Sequence, residues 1–171
     1  WCSTNYGTDT SFKNTFHENR LRQSLKIYTG VQAVSNFRPT AAKVIYENFG
    51  GDGTIWDMSC GWGGRLLGFL SAKNTKHYIG TEPSTKTFDG LKKMSKDFNY
   101  IKKKVDIYKQ GSETFQPESE SLDLCFTSPP YFDTEKYSEE ESQSYKKFPT
   151  QDEWVDGFLK TTIKNCYHGL K

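Results

Sequence analysis

Ser128, Pro129, Pro130 and Tyr131 close the run LDLCFTSPPYF (122–132), whose alternating apolar residues read as a strand that two consecutive prolines end. Proline has no N–H and a fixed φ, so a Pro-Pro step presents carbonyls that neither helix nor sheet pairing draws in. The result is a rigid pair of acceptors, the Ser128 hydroxyl and the Pro129 carbonyl. Such a pair suits the exocyclic amine of a nucleobase, a poor nucleophile because its lone pair is delocalised into the ring. Acceptors on both N–H bonds hold the nitrogen pyramidal and stabilise the positive charge that develops as it attacks. Tyr131 can stack on a base flipped out of its helix.

A second group surrounds the glycines of DMSCGWGG (57–64). Glycines let a ligand approach the backbone, and the helix start that follows offers free N–H groups. A dinucleotide turn would read G-x-G-x-x-G. From Gly61 the chain reads G-W-G-G-R-L, with Leu66 at the third glycine position, which argues against nicotinamide or flavin. Taken alone, the cluster fits a structural tight turn as well as a cofactor site. Glu82, ending the apolar run HYIGTEPS, can accept hydrogen bonds from both hydroxyls of a ribose. With Asp57 it places negative charge near a ligand. That combination suits S-adenosylmethionine, a nucleoside with a cationic sulfonium and no phosphate.

These residues need a frame, and the hydrophobic pattern supplies one. TIWDMSC (54–60) reads as a strand, the glycines as a tight turn and LLGFLSA as a helix. HYIGTEPS (77–84) is a second strand, and 85–101 carries apolar residues at 88, 91, 94, 98 and 101, a helical stripe. VDIYKQ (105–110) and LDLCFT (122–127) are a third and a fourth strand. A helix is expected within 36–54, ahead of the first strand. Another is expected over 150–171, where Thr150 is an N-cap and Glu153 completes a capping box. Strands alternating with helices predict an α/β fold, a mostly parallel sheet with helices on both faces and right-handed crossovers. Residues 61–64, Glu82, 111–113 and 128–131 each follow a strand directly, so all fall on one rim, where such sheets bind ligands. Residues 133–150 are too long for an ordinary connection. The first 35 residues show no period and are set apart as an extension of unclear role.

TSPPYF resembles the catalytic motif of the amino-group DNA methyltransferases, and IWDMSCGWGGR resembles their S-adenosylmethionine motif. FRPT (37–40) is similar to the segment that holds the methionine end of the cofactor in that family. The resemblance covers residues 36–171 and implies a Rossmann-like methyltransferase domain with the cofactor half ahead of the catalytic half. It further implies that Ser128, Pro129, Pro130 and Tyr131 are catalytic. Asp57, Ser59, Gly61 and Gly63 would line the methionine and ribose region, Glu82 with Pro83 would hold the ribose, and Ser112 or Glu113 would lie near the adenine. Phe37 and Arg38 or Thr40 would approach the methionine carboxylate. Serine at 128, where the family often has Asp or Asn, is more typical of members acting on cytosine N4 than on adenine N6. Enzymes acting on an RNA guanine amine or a protein glutamine amide usually carry Asn there. A non-catalytic nucleic-acid-binding module of the same fold is the alternative from another class. DNA is the expected partner, with Lys146 and Lys147 of the 133–150 loop on phosphate. The family's later strands and a target-recognition domain are missing from the sequence, which is therefore treated as part of a longer chain.

Composition narrows the remaining possibilities. The chain has 171 residues and a mean hydropathy of −0.79, which suits one domain and predicts a cytoplasmic protein without a membrane span or signal peptide. Four scattered cysteines and three isolated histidines predict buried free thiols and no metal centre. Net charge is only +2, but lysines cluster in LKKMSKDFNYIKKK (91–104), which permits a nucleic-acid partner.

Overall fold

Side chains alternate between the faces of a strand, so the first strand sets both layers of the protein. In β1 (Thr54–Asp57) Ile55 and Asp57 face one side and Trp56 the other, and Ile55, Trp56 and Asp57 are all buried. The structure is a computed structural model that describes Ser24 and residues 36–171, of which Asn36–Lys171 pack as one unit. The expectations for residues 1–35, with Cys2 and His17, lie outside the described residues except at Ser24.

β2 (His77–Thr81), β3 (Lys104–Tyr108) and β4 (Leu124–Cys125) join β1 in a fully parallel sheet of order β3-β2-β1-β4. Ile55 lies beside Tyr78 and Leu124, and Trp56 beside Ile79 and Cys125. On the first face Ile55, Tyr78 and Ile107 pack with residues of α1 (Pro39–Phe49), α2 (Gly64–Ser71) and α3 (Thr85–Asp97). On the second, Trp56, Ile79 and Cys125 meet Cys166 and Leu170 of the C-terminal helical region. Four of the expected elements are therefore strands and the sheet is parallel, as the alternating pattern predicts. β4 is shorter than 122–127, yet the Asp123 and Phe126 N–H groups still donate to Thr54 and Trp56 carbonyls at 2.9 and 3.0 Å.

One helix departs from expectation. α3 ends at Asp97, because Asn99 turns the chain by bonding both backbone groups of Lys103, at 2.7 and 2.8 Å. Phe98 and Ile101, the last residues of the expected stripe, are exposed. After α4 (Ser144–Lys147), the final helix runs without a break through α5 (Gln151–Glu153), a π-helical stretch (Trp154–Lys160) and α6 (Thr161–Gly169). The Thr150–Glu153 capping box is formed in both directions. Trp154, Phe158, Thr162 and Cys166 form the buried row, while Ile163 and Tyr167 face solvent.

The turn after β1 is fixed from beneath. Asp57, with no exposed surface, accepts hydrogen bonds from Arg65 Nε of α2 at 2.9 Å, Tyr78 Oη of β2 at 2.7 Å and the Ser59 N–H at 3.3 Å. Arg65 also donates to the Ser59 carbonyl. Removing one partner of a buried ion pair leaves an uncompensated charge. Arg65→Met is expected to cost about 3–5 kcal/mol, and Asp57→Asn with Arg65→Met less than Arg65→Met alone, as measured by urea unfolding.

Candidate functional site

A parallel sheet brings the carboxyl ends of its strands to one edge, and here that edge carries the glycine turn, Glu82, the Ser112–Thr114 turn and the 128–131 segment. Glu82 joins the first two. One carboxylate oxygen accepts the Gly61 N–H at 3.1 Å and the other accepts the Ser84 N–H at 3.0 Å, at the start of α3. The Glu82 N–H donates to the Tyr108 carbonyl, so the acid is pinned between β3 and the turn after β1. Each carboxylate oxygen keeps a lone pair for a further donor. Burial pushes the Glu82 carboxyl up to about 7, against the two N–H bonds that favour its charge, and the Asp57 and Glu140 charges add to the rise.

Gly61 and Gly63 have φ of +53° and +85°, the left-handed region that favours glycine. They serve different ends. A Cβ on Gly61 would meet nothing closer than the Ser59 carbonyl at 4.0 Å, which leaves open space beside the turn, whereas one on Gly63 would strike Met94 Sδ at 2.7 Å. Gly61 is free for a ligand's approach, and Gly63 is set by packing against α3.

Several expected site residues are committed elsewhere. Asp57 is enclosed in its pair with Arg65 and has no exposed surface, so it does not touch the space above the turn. Ser112 Oγ is buried at 2.9 Å from Thr162 Oγ1, and Glu113 pairs with Lys147 at 2.8 Å. Phe37 packs edge-on against Phe126, with its ring centroid 5.5 Å from the Arg65 guanidinium, while Arg38 and Thr40 are exposed at the start of α1. The Pro83 carbonyl accepts from Ser142 Oγ at 3.0 Å.

The 128–131 segment leaves β4 next to β1. Ser128 is exposed, and among the described residues no hydrogen bond uses its hydroxyl or the Pro129 carbonyl. Tyr131 is 63% exposed. Phe132, at the strained φ of +32°, directs its ring toward Trp154, with centroids 6.0 Å apart. Thr127 Oγ1, just before the segment, is buried without a partner among the described residues.

Lys146 and Lys147 of the 133–150 loop are not free cations. Lys146 pairs with Glu139 and Glu141, and Lys147 with Glu113. The loop instead lies across the rim. Glu140 accepts from the Thr85 N–H at 3.0 Å and from Thr85 Oγ1 at 2.7 Å, a carboxylate on the N-terminus of α3. These contacts span more than fifty residues of sequence, and nothing in a polar run signals them. A cavity of about 880 Å³, lined by Trp62, Leu91, Met94 and Tyr137 among others, opens beside Gly61 and includes neither Glu82 nor residues 128–131. Among the described residues no cluster of His, Cys, Asp and Glu could hold a metal ion, and no helix is long and apolar enough to cross a membrane.

The sequence matches no protein-family model, and no curated protein matches it. Solved structures do resemble it. A proposed S-adenosyl-L-methionine-dependent methyltransferase of Methanococcus maripaludis superposes with a TM-score of 0.54 at 17% identity, covering 90% of this chain and 57% of that one. The [4+2]-cyclase SpnF gives 0.53 at 12%, covering 78% and 41%, and the YcgJ protein of Bacillus subtilis 0.50 at 11%, covering 77% and 46%. The chain thus spans about half the length of the structures it resembles. Its fold is the Rossmann-like fold of S-adenosylmethionine-dependent methyltransferases. A cyclase in the same company means that the reaction must be argued from the site.

A carboxyl held at about 7 against an ordinary 4.5 favours the folded state most below pH 4.5, and that contribution is lost as pH rises through 7. Between pH 4.5 and 8 the wild type should lose on the order of 2–3 kcal/mol relative to Glu82→Gln, which stays neutral. Urea unfolding at a series of pH values measures the difference.

Proposed function

We propose that residues 36–171 are the catalytic domain of an S-adenosylmethionine-dependent methyltransferase acting on an exocyclic amine of a DNA base, with cytosine N4 favoured over adenine N6. The observation that carries this reading is the Ser128–Tyr131 segment, leaving β4 beside the glycine turn of β1 with two unused acceptors and an exposed aromatic ring. The rim also fits a nucleoside. Glu82 has spare lone pairs for ribose hydroxyls, and Gly61 leaves room for approach.

S-adenosylmethionine, when bound, supplies an electrophilic methyl group on a cationic sulfur. The chain's own residues do the rest. Glu82 holds the ribose. Ser128 Oγ and the Pro129 carbonyl accept the two amine N–H bonds, turn the nitrogen lone pair toward the methyl, and carry the developing charge until a proton is lost to solvent. Tyr131 stacks on the flipped base. With Asp57 neutralised by Arg65, Glu82 is the carboxylate left to oppose the sulfonium charge, and it does so best when ionised.

Mass spectrometry of nucleosides from DNA incubated with the protein and S-adenosylmethionine tests the proposal. N4-methylcytosine should form, and Ser128→Ala should lower kcat/KM by about 10²–10³, with Tyr131→Ala also impaired. Methyl transfer to RNA or to a protein amide in place of DNA would overturn the substrate, and cofactor binding without any transfer would overturn the enzyme.

A further inference from the structure

We propose that Phe132 and Trp154 are positioning residues that aim the Ser128 and Pro129 acceptors at the amine. This rests on the reading of the 128–131 segment given above. At its start the segment is fixed by the sheet, where the Phe126 N–H donates to the Trp56 carbonyl at 3.0 Å. From Thr127 to Pro130 no hydrogen bond or ion pair reaches the rest of the chain among the described residues. Pro129 and Pro130 stiffen this span by fixing φ, yet a stiff span still swings about a single attachment. Its second anchor therefore decides where the acceptors point.

That anchor is Phe132. The Thr134 N–H donates to the Tyr131 carbonyl at 2.9 Å and the Tyr131 N–H to Glu135 Oε2 at 3.3 Å, so residues 131–134 form one turn and move together. Within it Phe132 has a φ of +32°, left-handed backbone that a bulky residue adopts where its surroundings offset the strain. Glycine would hold such a turn without strain. The offset comes from Trp154, whose ring centroid lies 6.0 Å from that of the half-buried Phe132, while the neighbouring Tyr131 stays exposed. Trp154 is itself fixed. It is buried, its Nε1 donates to Ser144 Oγ at 3.1 Å, and its ring packs against Phe158 with centroids 5.1 Å apart. Its helix is tied to the turn after β3 by Thr162 Oγ1, 2.9 Å from Ser112 Oγ, and by Asn165, which donates to the Ser112 and Glu113 carbonyls at 3.3 Å. The Phe132 ring offers no polar group to an amine, and the indole N–H of Trp154 is already used. Any effect of the pair on the reaction passes through the placement of Ser128, Pro129 and Tyr131.

Steady-state methyl transfer to DNA by the full chain and its Phe132→Gly and Phe132→Tyr variants tests this, with calorimetry of S-adenosylhomocysteine binding to each. Glycine accepts the backbone conformation and removes the ring, and tyrosine keeps the ring. In Phe132→Gly kcat should fall about 10–100-fold, the scale of a misplacement near 1 Å, while KM for S-adenosylmethionine and Kd for S-adenosylhomocysteine hold. Phe132→Tyr should restore kcat. A glycine variant as fast as the wild type overturns the proposal, and so does a tyrosine variant as slow as glycine. A fall in kcat matched by an equal loss of S-adenosylhomocysteine binding also overturns it, because that marks a ring needed for the rim as a whole. If the wild type transfers no methyl group, the enzyme reading itself fails and this inference falls with it.

Discussion

The rim is built on the buried charge of Asp57. A carboxylate with no exposed surface must be paired and hydrogen-bonded to be tolerated, and Asp57 takes its partners from β1's own turn, from α2 through Arg65 and from β2 through Tyr78. Three elements are thereby tied at one point, directly beneath the glycines. Gly61 and Gly63 can hold left-handed backbone because what surrounds them is fixed. The close approach of Gly68 to Ala42, where a Cβ would come within 2.5 Å, locks α2 to α1 on the same face.

From that base the upper side of the turn is governed by Glu82. It binds the Gly61 and Ser84 N–H groups and so couples the β1 turn to the start of α3, the helix end that Glu140 caps from the loop. Two carboxylates then share one helix N-terminus. Both gain from its partial positive charge, yet each disfavours ionisation of the other, and the more buried Glu82 has its pKa raised. A cationic ligand with hydroxyl donors would relieve that conflict, which connects the electrostatics of the rim to the chemistry proposed for it.

Much of this was legible in the sequence for physical reasons. Period-two apolar runs located the strands, Pro129 and Pro130 ended one of them, and the Thr150–Glu153 spacing announced a helix start that forms as read. What was not legible depended on contacts between distant residues. Asp57 reads as an acid turned toward a ligand until Arg65, eight residues on, is seen to fold back onto it. Lys146 and Lys147 read as free cations until their carboxylate partners are known. Ile163 and Tyr167 belong to the apolar pattern of the last helix yet face solvent, because the buried row there is Trp154, Phe158, Thr162 and Cys166. Gln143 and Thr127 carry no signal in the sequence, since an unsatisfied buried donor exists only once the chain has folded around it.

A crystal structure of the chain with S-adenosylhomocysteine bound tests the central claim most directly. The account predicts both ribose hydroxyls on the Glu82 carboxylate, the sulfur toward Ser128 and the adenine over the end of β3. A nucleoside seated instead in the cavity between Trp62 and Tyr137, or one whose sulfur points toward β3, would contradict it.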